Sequence, residues 1–315
     1  MARWLKNLLG IAILAFLFLY LARHWESLQN LVNLKLSTII YLYIVSTVGG
    51  FCSSYTIQRI LRTFKIQCGF WEMFHLNNAT TLLNYLPAKF GTFYRANYLK
   101  RHYGLIYAHF GVLFLYLIIL MTIAASIIGL SVIVTIYGLS KFETVILAIV
   151  FLVTGFFSVV IAFIPFPAIK GTGKIVSILR SFTAGREQMT KNKFELLINT
   201  LLTAASFVLS SIRLGIIYHS IGQNVHPAGY LVLGAVGYVS MFLAITPGSL
   251  GLRELALTAG AVALGIDPTV GALAAIIDRA IAIAWSFSIG VASTLYLWHK
   301  APEDFKKDKE QISAL

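Results

Sequence analysis

Five ionisable residues stand where the chain is otherwise apolar: Arg213, Arg253, Glu254, Asp278 and Arg279. Their surroundings read "SSIRLGIIY", "LRELALTAGAVAL" and "IIDRAIAIAW". A charge at the centre of a lipid-facing helix costs at least about 2.5 kcal/mol. Five unpaired charges would therefore cost more than ~10 kcal/mol, as much as the net stability of many proteins. These groups must be paired, hydrated, or both. Three positive charges against two negative ones leave one positive charge over, which suits an anionic ligand such as a phosphate headgroup. A purely structural ion-pair cluster meets the same requirement, so both roles stay open at this point.

The elements that must hold these groups follow from composition. Of 315 residues, 58% are hydrophobic and 12% charged, about half the charged fraction of a soluble domain. The class is therefore all-α, a polytopic integral membrane protein. With a span of about 20 residues, the apolar runs predict six full spans, at 5–22, 37–57, 107–137, 142–164, 196–219 and 270–298. The first has the basic start of a signal sequence without a cleavage site, and is expected to be a retained anchor. Two further apolar stretches, 71–99 and 227–265, are broken in the middle. The breaks are "NYLPAKFGTFYRANYLK" and "ITPGSLGLRELALTAG", each a proline and glycine followed by charge. Pro87 and Gly91 are expected to turn the first hairpin, and Pro247, Gly248 and Gly251 the second.

Basic residues orient the whole. With both termini cytoplasmic and each broken segment returning to the side it left, nineteen lysines and arginines fall inside and three outside (Arg23, Lys35 and Lys141). That asymmetry follows the positive-inside rule. It also accounts for the net charge of +13 as topology signals and contacts with anionic lipid, with no need for nucleic acid. The two broken segments then dip in from opposite faces as re-entrant hairpins. Related motifs in opposite orientation are the sequence mark of an inverted repeat, and interrupted helices at mid-depth build substrate sites in many transporters. The expected organisation is one transmembrane domain over 1–300, a basic cytoplasmic loop over 168–195, and a short charged tail over 301–315.

Periodicity adds a polar face. Glu195, Asn199, Thr203, Ser206, Ser210 and Arg213 recur at helical spacing in the fifth span, which fits a helix lining a cavity or packed on a polar neighbour. Asn77, Thr81 and Asn84 share a face leading to Pro87, and Ala275, Arg279, Ala282, Ser286 and Ser293 form a stripe suited to close packing. Ser46, Gly50 and Ser53 look like ordinary small-residue packing. Cys52 and Cys68 read as apolar fillers.

No enzyme signature stands out. The seven histidines have no metal-ligand spacing, and "GTGK" at 171–174 lacks the context of a P-loop. Neither a cofactor, a metal nor intrinsic ATP hydrolysis is expected.

The two hairpin motifs, with the arginine of "IIDRAIAIAW", resemble the lysylphosphatidylglycerol synthase transmembrane region, a flippase-like membrane family. The second motif departs slightly, reading "PGSLG" where a further glycine often follows the first. The resemblance covers essentially the whole chain. It implies a helical fold with two re-entrant hairpins that moves phospholipid or lipid-linked substrate between leaflets. By position it marks Pro87, Gly91 and Arg95 in the first hairpin, and Pro247, Gly248, Gly251, Arg253 and Glu254 in the second, with Arg279 nearby. Only 17 residues follow Trp298, so no aminoacyl-transferase domain of the full-length synthases is expected in this chain. The expected function is a lipid flippase of the cell membrane whose substrate contacts are Arg95, Arg213, Arg253, Glu254, Asp278 and Arg279. Its partners would be anionic phospholipid or a lipid-linked sugar, with a homo-oligomer or a partner synthase compatible. A membrane enzyme acting on lipid headgroups, or a scaffold recruiting a glycosyltransferase or synthase, are the alternatives.

Overall fold

The computed structural model describes residues 34–86, 89–163, 192–240 and 251–313, with scattered positions between 176 and 188 and side chains up to Lys300. The expected span 5–22, the turn residues Pro87, Pro247 and Gly248, and most of the loop 168–195 lie outside the described residues.

Among the described residues the chain is all-α and polytopic. In chain order the helices are α1 (Leu36–Thr63), α2 (Phe70–Leu83), α3 (Phe90–Tyr103), α4 (Tyr107–Val132), α5 (Phe142–Phe163), α6 (Lys193–Ser220), α7 (Pro227–Val239), α8 (Leu252–Ala263) and α9 (Pro268–Ser313). A π-helical turn, Ile133–Tyr137, continues α4. Five helices are long and apolar enough to cross a membrane: α1, α4 with its π-turn, α5, α6 and the stretch Pro268–Lys300 of α9. They fall where the sequence places its second to sixth spans, except that α1 runs on past the expected end at 57 to Thr63 and α9 past the expected end at 298.

The broken segments are helix pairs. α2, α3, α7 and α8 hold 14, 14, 13 and 12 residues. At 1.5 Å per residue each is about 18–21 Å long, short of the ~30 Å hydrocarbon core. None can span alone, as expected of re-entrant halves.

Local chemistry sets the ends. Asn192 Oδ1 caps α6 by accepting from the amides of Phe194 and Glu195. Asp267 Oδ1 accepts from Thr269 and Val270 at the start of α9, where Pro268 supplies a residue with no amide proton to satisfy. Gly104, at φ +68°, ends α3 with its amide on the Lys100 carbonyl, a left-handed conformation that favours glycine.

Packing places the two hairpins at opposite ends of the bundle. One apolar cluster joins Ile57, Ile60 and Leu61 at the end of α1 to Leu76, Leu99, Leu113 and Leu297. A second joins Leu42 near the start of α1 to Ile217 at the end of α6, Leu257 of α8 and Ala274 of α9. The α2–α3 hairpin thus belongs to one end of α1, and the second hairpin to the other. α1 packs most extensively on α6, and α9 contacts both hairpins through α2 and α8. At the α9–α2 crossing, a β-carbon on Gly290 would lie 2.7 Å from Leu82 Cβ, so glycine lets the two backbones approach.

Candidate functional site

Asp278 is the centre of the site. It lies on α9 with 1% of its side chain exposed, between two guanidinium groups. Arg213 Nη2, from α6, is 2.7 Å from its Oδ1, and Arg253 Nη2, from α8, is 3.1 Å from its Oδ2. The next residue, Arg279, faces α8 instead, with Nε 2.8 Å from Glu254 Oε1. Adjacent positions on α9 therefore bind adjacent positions on α8, and Arg213 ties α6 to the same knot. All five charges singled out above come together. They are partly or wholly buried, with side-chain exposures from 1% for Asp278 to 21% for Glu254, and their sum is one positive charge.

The second hairpin makes room for this arrangement. Gly251 begins α8 at φ +80°, a conformation costly for any residue with a β-carbon. The turn sets Arg253 and Glu254 in the first turn of the helix, facing α9. On α7, the β-carbon position of Gly237 lies 3.5 Å from Arg253 Nη2; a larger side chain would press on the guanidinium. Ser46 of α1 stands 3.5 Å from Arg213 Nη1 and accepts from it.

Arg95 does not join the cluster. It is 5% exposed, on α3 of the other hairpin. Its Nη1 donates to Asn77 Oδ1 at 3.2 Å, and its guanidinium lies 5.7 Å from the centroid of the Phe110 ring. Asn77 in turn donates to Ser53 Oγ at 2.9 Å and Ser54 Oγ at 3.2 Å. Ser46 and Ser53, read above as plain packing, are thus contacts of buried arginines, Ser46 directly and Ser53 through Asn77. Nothing in their local sequence distinguishes them, because their partners come from distant helices.

Gly91 corrects an expectation. It is not a turn residue: it sits inside the first turn of α3. Its role is close approach, since a β-carbon there would lie 2.0 Å from the Thr80 carbonyl oxygen of α2. The amide of Thr92 donates to Asn84 Oδ1 at 2.9 Å, joining the two halves at the apex. Lys89, at φ +51°, leads into α3.

On α6, Asn199, Thr203 and Ser206 are buried and Ser210 is half-buried. Thr203 and Ser206 donate to carbonyls of their own helix, which needs no outside partner. Glu195 receives two bonds from Arg59 Nη2, both 2.8 Å. A further pair escaped sequence reasoning altogether. Glu72, at the start of α2, accepts from Tyr98 at 2.9 Å, Tyr103 at 2.7 Å and Lys300 Nζ at 2.7 Å, fastening the first hairpin to α9. Cys52 and Cys68 are free thiols.

What this geometry can do chemically is limited and specific. Three guanidiniums present planar donor edges suited to phosphate oxygens, and two carboxylates compete for them. The family model described as the lysylphosphatidylglycerol synthase TM region matches residues 7–290 of the chain. No curated protein and no solved structure matches it.

Proposed function

The chain belongs to the lysylphosphatidylglycerol synthase transmembrane family, and from that premise we propose that it moves an anionic phospholipid or lipid-linked sugar between membrane leaflets. Membership makes it a membrane protein of the lipid-modification and flippase-related kind. The observation that carries the finer reading is the positive excess at a buried carboxylate. Asp278 already holds Arg213 and Arg253, Glu254 holds Arg279, and one charge of the five is left unbalanced.

In the resting site the carboxylates satisfy the arginines. An arriving headgroup phosphate competes for the same donors, and its single negative charge neutralises the site. Acyl chains stay in the bilayer while the head passes along the seam between α6, α8 and α9. No bond is made or broken, and no nucleotide is consumed. The protein lies in the cell membrane with both termini cytoplasmic, so that the α2–α3 hairpin enters from the cytoplasm and the α7–α8 hairpin from outside.

A leaflet-resolved scrambling assay in liposomes tests this. Wild type is expected to equilibrate a labelled phosphatidylglycerol across the bilayer, and Arg253→Ala/Arg279→Ala to slow it at least about tenfold, the loss of one charge-assisted contact. Equal scrambling by the two removes the proposal. Product formation by purified protein with no partner would favour the enzyme reading, and function lost on charge reversal in 170–193 alone would favour the scaffold.

A further inference from the structure

Among the described residues, five arginines are withdrawn from solvent: Arg59, Arg95, Arg213, Arg253 and Arg279. Four have a carboxylate within 3.1 Å. Arg95, the most buried residue of the five at 5% exposed, has none among the described residues. The acid closest in sequence on α2, Glu72, is already taken by Tyr98, Tyr103 and Lys300. Among the described residues, a neutral amide oxygen and a ring face are what meet the Arg95 charge. Its Nε is buried without a hydrogen-bond partner, as are those of Arg59, Arg213 and Arg253, but Nη1 to Asn77 is its one donor contact among the described residues, and no carboxylate stands beside it there. The Nε–Nη2 edge is the fork that grips two oxygens of one phosphate or carboxylate. Removing a charge from water without a counter-ion is the costliest arrangement a fold can hold, and proteins ordinarily avoid it.

We propose that Arg95 is a second anion-binding position, in the first hairpin and separate from the Asp278 cluster, whose ligand is a phosphate oxyanion. Each return helix then carries one arginine withdrawn from solvent, Arg95 on α3 and Arg253 on α8, Arg101 of α3 being exposed. The two differ in charge balance. Arg253 shares a built-in carboxylate that an incoming anion must displace, whereas Arg95 has no carboxylate partner among the described residues. Asn77 and Phe110 orient the guanidinium without neutralising it, and the Ser53 and Ser54 hydroxyls hold Asn77 so that its oxygen, not its amide nitrogen, faces the arginine. The site is closed in this conformation, so a ligand reaches it when α3 parts from α4 at Phe110. The position goes beyond the Asp278 site and stands or falls separately from it.

The test uses full-length protein in a maltoside detergent, which contains no phosphate, titrated with short-chain phosphatidylglycerol or with inorganic phosphate. The Arg253→Ala/Arg279→Ala background removes the cluster's positive excess, so the share of the remaining anion binding that depends on Arg95 is read apart from the cluster and from the surface lysines and arginines. Arg95→Gln in that background is expected to weaken it about ten- to hundredfold, as loss of a charged donor does. Asn77→Asp separates ligand binding from mere structure. It supplies a carboxylate at the 3.2 Å contact, so it is expected to raise the melting temperature while weakening anion binding by a similar factor. It also decides the matter if Arg95→Gln fails to fold. Saturation by phosphatidylglycerol alone assigns a lipid headgroup, and saturation by inorganic phosphate as well assigns the oxyanion itself. No residual binding in the background, or binding unchanged by Asn77→Asp, overturns the proposal. Scrambling by the wild type would be untouched by that failure, which would leave the function proposed above in place.

Discussion

Asp278 joins α6, α8 and α9 through one side chain. Two guanidiniums from different helices depend on it, and with 1% exposure no water replaces it. Breaking a buried pair by removing one partner leaves an uncompensated charge, a loss of about 3–5 kcal/mol. Asp278→Ala is accordingly expected to lower the melting temperature in detergent sharply. Replacing Arg213 by Met in the same chain should return part of the loss, because it removes one of the two stranded charges. A double variant that melts no higher than Asp278→Ala would show that the two residues do not act as a pair. The same reasoning explains which residues were legible beforehand. A charge in an apolar run is conspicuous in one dimension, so all five cluster members could be named. Ser46 and Asn77 were not legible as contacts of arginines, since only the fold brings α1 to Arg213 and α2 to Arg95.

The hairpins are the elements on which both sites depend, and their glycines differ in kind. Gly91 packs against backbone, so that an added methyl would lie 2.0 Å from the Thr80 carbonyl oxygen, whereas a methyl on Gly49 meets nothing within 4 Å. Gly91→Ala must therefore force α2 and α3 apart and is expected to destabilise by about 1–3 kcal/mol or more, as overpacking does. Gly49→Ala should be neutral or slightly stabilising. Thermal melts of the two variants side by side check this. At the start of α9, the backbone amides of Thr269 and Val270 hold the Asp267 carboxylate below the ordinary carboxylate range. A depressed folded value means that the cap stabilises the helix above about pH 4 and is lost as pH falls through the folded value. Exchange protection at Thr269 and Val270 should fall in that acidic window in wild type, and be insensitive to pH there in Asp267→Asn. Proline and glycine in an apolar run announced that each hairpin must break. They could not tell that Gly91 serves packing rather than turning, because a close helix approach has two sides and the sequence around a glycine shows one.

For the whole molecule, the arrangement of apolar clusters puts the hairpins at opposite ends of α1, and the proposed orientation assigns each end a face. With Cys52 and Cys68 replaced, single cysteines at Gly69 and Gly104 are expected to react with an impermeant reagent only from the cytoplasmic side, and those at His226 and Gly265 only from outside. The same face for all four would overturn the inverted arrangement and the proposed transport route with it. α9 ties the two halves together. It meets α8 through Asp278 and Arg279 and, about twenty residues further along, α2 through Lys300, so one continuous helix contacts both hairpins.

By itself the sequence determined the class, the spans it shares with the described helices, the two interruptions and the five charges that could not face lipid. All of these follow from the free energy of moving residues out of water, which depends on residue type and on periods of a few residues. Tertiary structure alone decided the partners: Asp278 between Arg213 and Arg253, Glu254 on Arg279, Glu72 on Lys300, and Arg95 apart from the rest, against Asn77 and Phe110. Coulomb energy falls with distance between side chains, not with separation along the chain. Only the packing of α6, α8 and α9 could fix those distances.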